Sequence, residues 1–275
     1  MSSESFDLIR LASSFVLSGL IGGLGYWRRS LTRSGWLGAI IVGTASAGLG
    51  GWIWGVLVVV FFITSSVLSH WRRGRKERVA ADKFSKTEQR DLGQTLANGG
   101  AITIAALFYA LDPQPILFAA ALGAIATVTA DTWATEVGTL SERSPRSITT
   151  FKTVAAGTSG GITALGFVAT LAGSLTIGLA AQAMIALLDR QFVEWPITLA
   201  LVGGTIGSLS DSLLGATVQH MRWCPRCQTE TERTVHRCGT PTTHLRGWPW
   251  LNNDGVNFLS SLAGAGAAAF AWLFI

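Results

Sequence analysis

The chain has 275 residues, of which 49% are hydrophobic and 13% charged, and its mean hydropathy of +0.41 is too apolar for a domain that must present a polar surface to water. An ordinary soluble protein is excluded; the composition is that of an integral membrane protein. The formal charge of +5 does not by itself indicate nucleic acid, because in a membrane chain the placement of Lys and Arg says more than their total.

Apolar stretches of helix-spanning length recur at about 9–27, 36–50, 51–69, 95–110, 115–138, 157–188, 196–220 and 256–274. They predict an all-α polytopic membrane bundle of eight transmembrane helices in a single domain, 1–275. The second and third are separated only by GLGGW, 48–52, and the count falls to seven if the hairpin does not turn there. Arg10 precedes the first apolar run, but no small-x-small cleavage site follows, so that run is read as a membrane helix and not an export signal. The 32 glycines, among them Gly203, Gly204, Gly207, Gly264 and Gly266, suit close helix packing.

With eight helices, alternate loops hold all of the 21 Lys and Arg except Arg10 and Arg190. The positive-inside rule then puts both termini outside and the four basic loops in the cytosol. The longest, 70–94, contains WRRGRKERVAADKFSKTEQR, whose Glu77, Asp82 and Glu88 make it zwitterionic and weaken a nucleic-acid reading. Such a loop fixes topology and touches anionic lipid; it could also gather a polyanionic substrate.

That topology places the unusual polar residues at one depth. Asp131 and Glu136 fall at the cytosolic end of the fifth helix, Asp211 near that of the seventh, Asp254 at the start of the eighth and Asn98 at the start of the fourth. An intramembrane acid costs roughly 2.5–3.5 kcal/mol on insertion scales, so four in one layer argue for a shared task. Carboxylates and amide oxygens at the mouth of a bundle suit Mg²⁺, which takes one or two carboxylates together with substrate phosphates. Asp131 and Glu136 are five apart and diverge by about 140° on a straight helix, which predicts either a helix break between them or one acid acting at second remove. After them, TTFKTVAAGTSGG, 149–161, leads Lys152 into a glycine-rich opening of the sixth helix, where backbone N–H groups bind phosphate.

The 221–250 loop holds all three cysteines, as Cys224-x₂-Cys227 followed by Cys238, with His236 and His244 nearby. A cytosolic disulfide is disfavoured, and the three cysteines with one histidine, His236 with His244 left open as the fourth ligand, make a tetrahedral zinc site that would hold the loop over the acids. The alternative is a reduced, metal-free turn.

ANGG at 97–100, ADTWATEVG at 130–138, GTSGG at 157–161, SLSDSLLGA at 208–216 and HRCGTPTTHLRGWPWLNNDGVNFLSSLAGA at 236–265 together resemble an integral-membrane family that includes the phytyl-phosphate kinases of plants and cyanobacteria in vitamin E biosynthesis. The resemblance implies a CTP-using kinase that converts phytyl phosphate, or a related isoprenyl phosphate, to the diphosphate for tocopherol and phylloquinone synthesis in a plasma or thylakoid-type membrane. Carried onto this chain, Asp131, Glu136, Asp211 and Asp254 become catalytic and Mg²⁺-site acids. Asn98, Thr132, Thr135, Lys152, Gly157, Thr158, Ser159, Gly160, Gly161, Ser212, Asn252, Asn253 and Asn257 become substrate- and phosphate-binding residues. The implied partners are a prenyl phosphate, a nucleotide and membrane lipids, with no nucleic acid.

A cytosolic nucleotide and a membrane-soluble prenyl chain can bring their phosphates together only at the inner interface, the depth of the acids. A lipid-phosphate cytidylyltransferase would instead release pyrophosphate. An ion-coupled transporter would place its acids near the bilayer midplane and show a repeat of motif order between the two halves, which is not seen.

Overall fold

The computed structural model describes residues 7–71, 89–190 and 192–275. Most of the basic 70–94 loop, with Glu77, Asp82 and Glu88, lies outside them. The described residues form eight α-helices: α1 (Leu8–Trp27), α2 (Arg33–Ala45), α3 (Trp52–His70), α4 (Leu92–Leu111), α5 (Pro115–Gly138), α6 (Ala164–Asp189), α7 (Trp195–Thr217) and α8 (Asn253–Trp272). Six of them, all but α2 and α8, are long and apolar enough to cross a membrane. The 13-residue α2, extended by a π-helical turn at Ser46–Gly50, is short, and α8 opens on the polar run NDGVN.

Local signals account for the boundaries. Asp7, Thr32, Thr163 and Asn252 each cap a helix by accepting a backbone N–H, and Asp91 with Gln94 forms a capping box on α4. The turn expected in GLGGW occurs at Gly51, whose φ of +105° favours glycine there and separates α2 from α3. The sixth helix, however, begins at Ala164 and not at 157. Gly157 and Gly160 take φ of +79° and +80°, and Gly161–Ile162 (β2) pairs antiparallel with Arg146–Ser147 (β1), so GTSGG is a loop before the helix. A second small sheet, β3 (Met221–Cys224), β4 (Thr229–Thr231) and β5 (Thr243–Arg246), has the order β4-β3-β5. The body is thus an all-α bundle, as composition predicts, with strands confined to its connections.

The centre is α5, buried almost continuously from Ala119 to Ala130 and packed by α3, α4, α6, α7 and α8. Its closest contacts are backbone to backbone. A Cβ on Gly203 would lie 2.6 Å from the Gly123 Cα and 2.9 Å from the Gly264 carbonyl, so α5, α7 and α8 meet where none has a side chain. The buried Thr127 hydroxyl sits in this seam, within 2.8 Å of the Gly123 carbonyl and 3.0 Å of the Gly203 carbonyl.

The two ends of the bundle differ. At one, the rings of Tyr109, Trp54, Phe118, Trp195 and Trp272 form a chain across α4, α3, α5, α7 and α8, with centroids 5.1–5.8 Å apart. At the other lie the connections that carry the basic residues. The Ser30–Thr32 segment exchanges backbone hydrogen bonds with Arg90, Ser69 at the end of α3 donates to Glu136 near the end of α5, and Ser159 donates to Gln219 after α7. The membrane-facing surface carries exposed Phe15, Leu20, Ile104, Phe108, Val168 and Leu187.

The glycine seam predicts a sharp positional contrast on α8. Gly264→Val, whose Cβ meets Thr127 and Gly203, should lower stability by about 1–3 kcal/mol. Gly266→Val, which meets nothing within 4 Å, should be tolerated, with thermal unfolding in detergent as the readout.

Candidate functional site at the basic end of the bundle

A cavity of about 640 Å³ opens where α5 and α7 end and α6 and α8 begin. Asp131 and Thr135, four apart on one face of α5, line it, as do Ser208, Asp211 and Ser212 of α7, the Gly157–Gly161 loop, the first turn of α6 and Asn253. The Asp131 and Asp211 charges act on each other. Asp211 also accepts a 3.2 Å hydrogen bond from Ser260 of α8 and feels the charge of Glu232.

The helices set this arrangement. Both α5 and α7 run toward the basic end, and Asp131 and Asp211 each lie eight residues beyond the touching glycines Gly123 and Gly203. At 1.5 Å per residue both carboxylates sit about 12 Å along their helices from one contact. Also in the cavity lining, Gly160 is held against α7, where a Cβ would lie 2.7 Å from the Ser212 carbonyl. Ser159 donates to Gln219 at 2.6 Å, and the Gln219 amide in turn donates to Glu232 at 3.0 Å.

Several expected site residues lie elsewhere. Helix α5 is unbroken from Pro115 to Gly138, so the predicted break between Asp131 and Glu136 does not occur and the 140° divergence stands. Glu136 turns away from the cavity, accepts a 2.6 Å hydrogen bond from Ser69 and lies in the field of Arg90. Thr132 donates back to the Val128 carbonyl, and Lys152 is exposed and outside the cavity lining. Asn98 lines a separate apolar cavity of about 360 Å³ among α1–α4, together with Arg90. Asp254 and Asn257 do not line the acid cavity, and Asn252 serves as the α8 cap. Asp254 falls in the first turn of α8, where the helix dipole favours an acid.

Four charged groups in the cavity lining were not singled out from sequence: Glu142, Glu232, Arg143 and Arg146. The arginines were legible only as topology determinants. Glu232 had no signal, since it reaches the cavity only because the small sheet folds back under α7.

The donor set suits a hard divalent cation. Two carboxylates lining one cavity leave the remaining positions to water and phosphate oxygen, which is how Mg²⁺ is usually held. Two like charges in a low-dielectric cleft also favour a cation between them. The start of α6 turns backbone N–H groups toward the same space, with the Thr163 side chain capping Gly166 at 2.9 Å.

Below this wall, Cys224, Cys227, His236 and Cys238 bring one ligand atom each to within 4.8 Å of one another, and among the described residues no other His, Cys, Asp or Glu group of three or more converges so. Hydrogen bonding to Thr240, then to His236, draws the Cys238 thiol down to about 6. His244 instead stacks on His220, with ring centroids 5.3 Å apart.

Replacing each α5 acid separates their roles. Glu136→Gln weakens an anchor to α3 and Arg90 and should cost on the order of 1 kcal/mol in thermal unfolding. Asp131→Asn relieves repulsion with Asp211 and should leave the unfolding temperature unchanged or raised.

Among known proteins, the profile of the integral membrane protein family DUF92 matches residues 16–265. Protein PGR of Arabidopsis thaliana is 33% identical over 99% of each chain. An uncharacterized membrane protein of Methanocaldococcus jannaschii is 33% identical over 76% of this chain and 83% of its own. One from Synechocystis is 26% identical over 88% and 82%. No solved structure matches.

Proposed function

The chain belongs to the integral membrane protein family DUF92, and from that premise we propose that it is a CTP-dependent kinase that converts phytyl phosphate, or a related isoprenyl phosphate, to the diphosphate at the cytosolic face of its membrane. The observation that carries the reading is the cavity that Asp131 and Asp211 line together with the Gly157–Gly161 loop and the start of α6, with Arg143 and Arg146 also in its lining. Such a site combines anion-binding and cation-binding groups in one cavity, as a transfer between two polyanions requires. The positive-inside rule assigns this end to the cytosol, where a nucleotide is available.

In the proposed reaction an oxygen of the prenyl phosphate attacks the γ-phosphorus of CTP. The bond from that phosphorus to the β-bridging oxygen breaks, and CDP leaves with the electron pair. No general base is needed, because the prenyl phosphate is already an anionic nucleophile. The protein's part is positioning and charge neutralisation. The Gly157–Gly161 backbone and the α6 N-terminus hold phosphate oxygens, and Arg143 and Arg146 attract the nucleotide. Asp131 and Asp211 would hold Mg²⁺, which supplies neutralisation between the two polyanions when bound. Glu136 is assigned to anchoring α5 and has no part in the transfer.

The test is purified protein in lipid with phytyl phosphate, Mg²⁺ and labelled CTP. Phytyl diphosphate and CDP are expected, with Asp131→Asn and Asp211→Asn each lowering turnover by about a hundredfold or more. Pyrophosphate with a CDP-lipid would replace the kinase by a cytidylyltransferase. No turnover with any of several prenyl phosphates would sink both and turn attention to ion-coupled transport.

A further inference from the structure

The three cysteines and His236 take no part in the proposed transfer, yet the fold brings them together from two separate turns. The first is CPRC, 224–227, where the Gln228 N–H donates to the Cys224 carbonyl at 2.9 Å and the Cys227 N–H approaches the Cys224 sulfur at 3.5 Å. The second is HRC, 236–238, where the Gly239 N–H donates to the His236 carbonyl at 2.9 Å. Each ends on a residue in the left-handed region, Gln228 at φ +51° and Gly239 at φ +81°. Two tight turns, one of four residues and one of three, thus bring their ligand atoms together.

The spacings match a tetrahedral ion. With Zn–S near 2.3 Å and Zn–N near 2.0–2.1 Å, tetrahedral angles put sulfurs about 3.8 Å apart and sulfur and nitrogen about 3.5 Å apart. Cys224 and Cys238 sulfurs are 3.7 Å apart, and the His236 Nδ1 is 3.3 Å from the Cys238 sulfur. The Cys238 N–H also lies 3.4 Å from this Nδ1, so it is the Nδ1 edge of the ring that sits beside the cysteine sulfur. All three cysteines are free, so the cluster has no covalent closure of its own.

We propose that Cys224, Cys227, His236 and Cys238 bind a structural zinc ion, and that this ion fixes the β4-β3-β5 sheet as the cavity wall that presents Glu232. Polar contacts that depend on the sheet's shape help to tie it to the bundle, beside the burial of Met221. Arg246 donates to the Gly215 carbonyl at 2.7 Å while pairing within the sheet with Glu230 at 3.6 Å, and Gln219 joins Glu232 to Ser159. A sheet of three- and four-residue strands has too little core to hold that shape, and a metal crosslink between its two turns supplies the missing constraint. Four protein ligands close the coordination shell, which makes the ion structural and leaves no open position for chemistry.

The experiment measures metal on full-length protein purified in detergent without chelator, by elemental analysis and by zinc release on thiol modification, so it needs no activity. About one zinc per chain is expected, falling at least fivefold in Cys224→Ser and Cys238→Ser and unchanged in His244→Ala, which alters a histidine outside the cluster. If the serine variants fail to fold, wild-type chain grown on cobalt serves instead, with the visible bands of tetrahedral thiolate-bound Co²⁺ expected. Limited proteolysis should show cleavage at Arg226 or Arg237 only after chelation. A zinc content below about a tenth per chain, or no thiolate-bound Co²⁺ spectrum, overturns the proposal. Metal without any change in protease sensitivity on chelation overturns its second half. Each result stands whatever the transfer assay finds.

Discussion

The meeting of α5, α7 and α8 at Gly123, Gly203 and Gly264 is the contact on which the rest of the molecule depends. In a membrane the hydrophobic effect does little to hold one helix against another, so backbone approach and the hydrogen bonds it permits must do so. Side-chain-free contact also fixes register, because a helix cannot slide past a point where backbones touch without driving a Cβ into a carbonyl. With register fixed, two acids eight residues beyond the contact, on helices running the same way, arrive at one level. The buried Thr127 hydroxyl strengthens the same point by meeting carbonyls of two helices.

That geometry resolves the cost of placing acids in the membrane. A lone carboxylate there is expensive, but Asp131 and Asp211 share one water-accessible cavity at the mouth of the bundle, where a cation and phosphate ligands can offset the burial. Glu136 settles the same problem differently, through Ser69 and the nearby Arg90. One turn and a half of helix therefore separates an acid available to a ligand from one committed to holding α5 against α3.

The cavity's remaining wall is built from loops, and each is pinned to a helix end. Gly160 packs on α7, Ser159 reaches Gln219, and the small sheet carries Glu232 beneath them. Polar groups on irregular backbone are tolerable here because the segment lines a cavity and is not exposed to lipid. The basic loops gather at one end of the bundle, and a continuous chain of aromatic rings crosses the other.

Segment length, glycine content and charge placement were enough, from sequence, to mark a helical membrane bundle and the end at which polar chemistry gathers, while of the eight membrane helices expected, six among the described residues are long and apolar enough to span. These are properties of segment length and solvent preference, which a linear pattern carries directly. The spacing of Asp131 and Glu136 likewise implied their divergence, because helical pitch is fixed. What sequence could not decide was which acids meet. Asp254 shares their end of the bundle but not their cavity, Lys152 faces outward, and Glu232 enters from a loop with no motif of its own. Those outcomes depend on helix register and loop trajectory, set by contacts between residues dozens of positions apart, such as Gly123 with Gly203 and Ser159 with Gln219. GTSGG shows the limit at shortest range: its glycines marked a special backbone, but pairing with residues 146–147 made it a loop and not the first turn of α6.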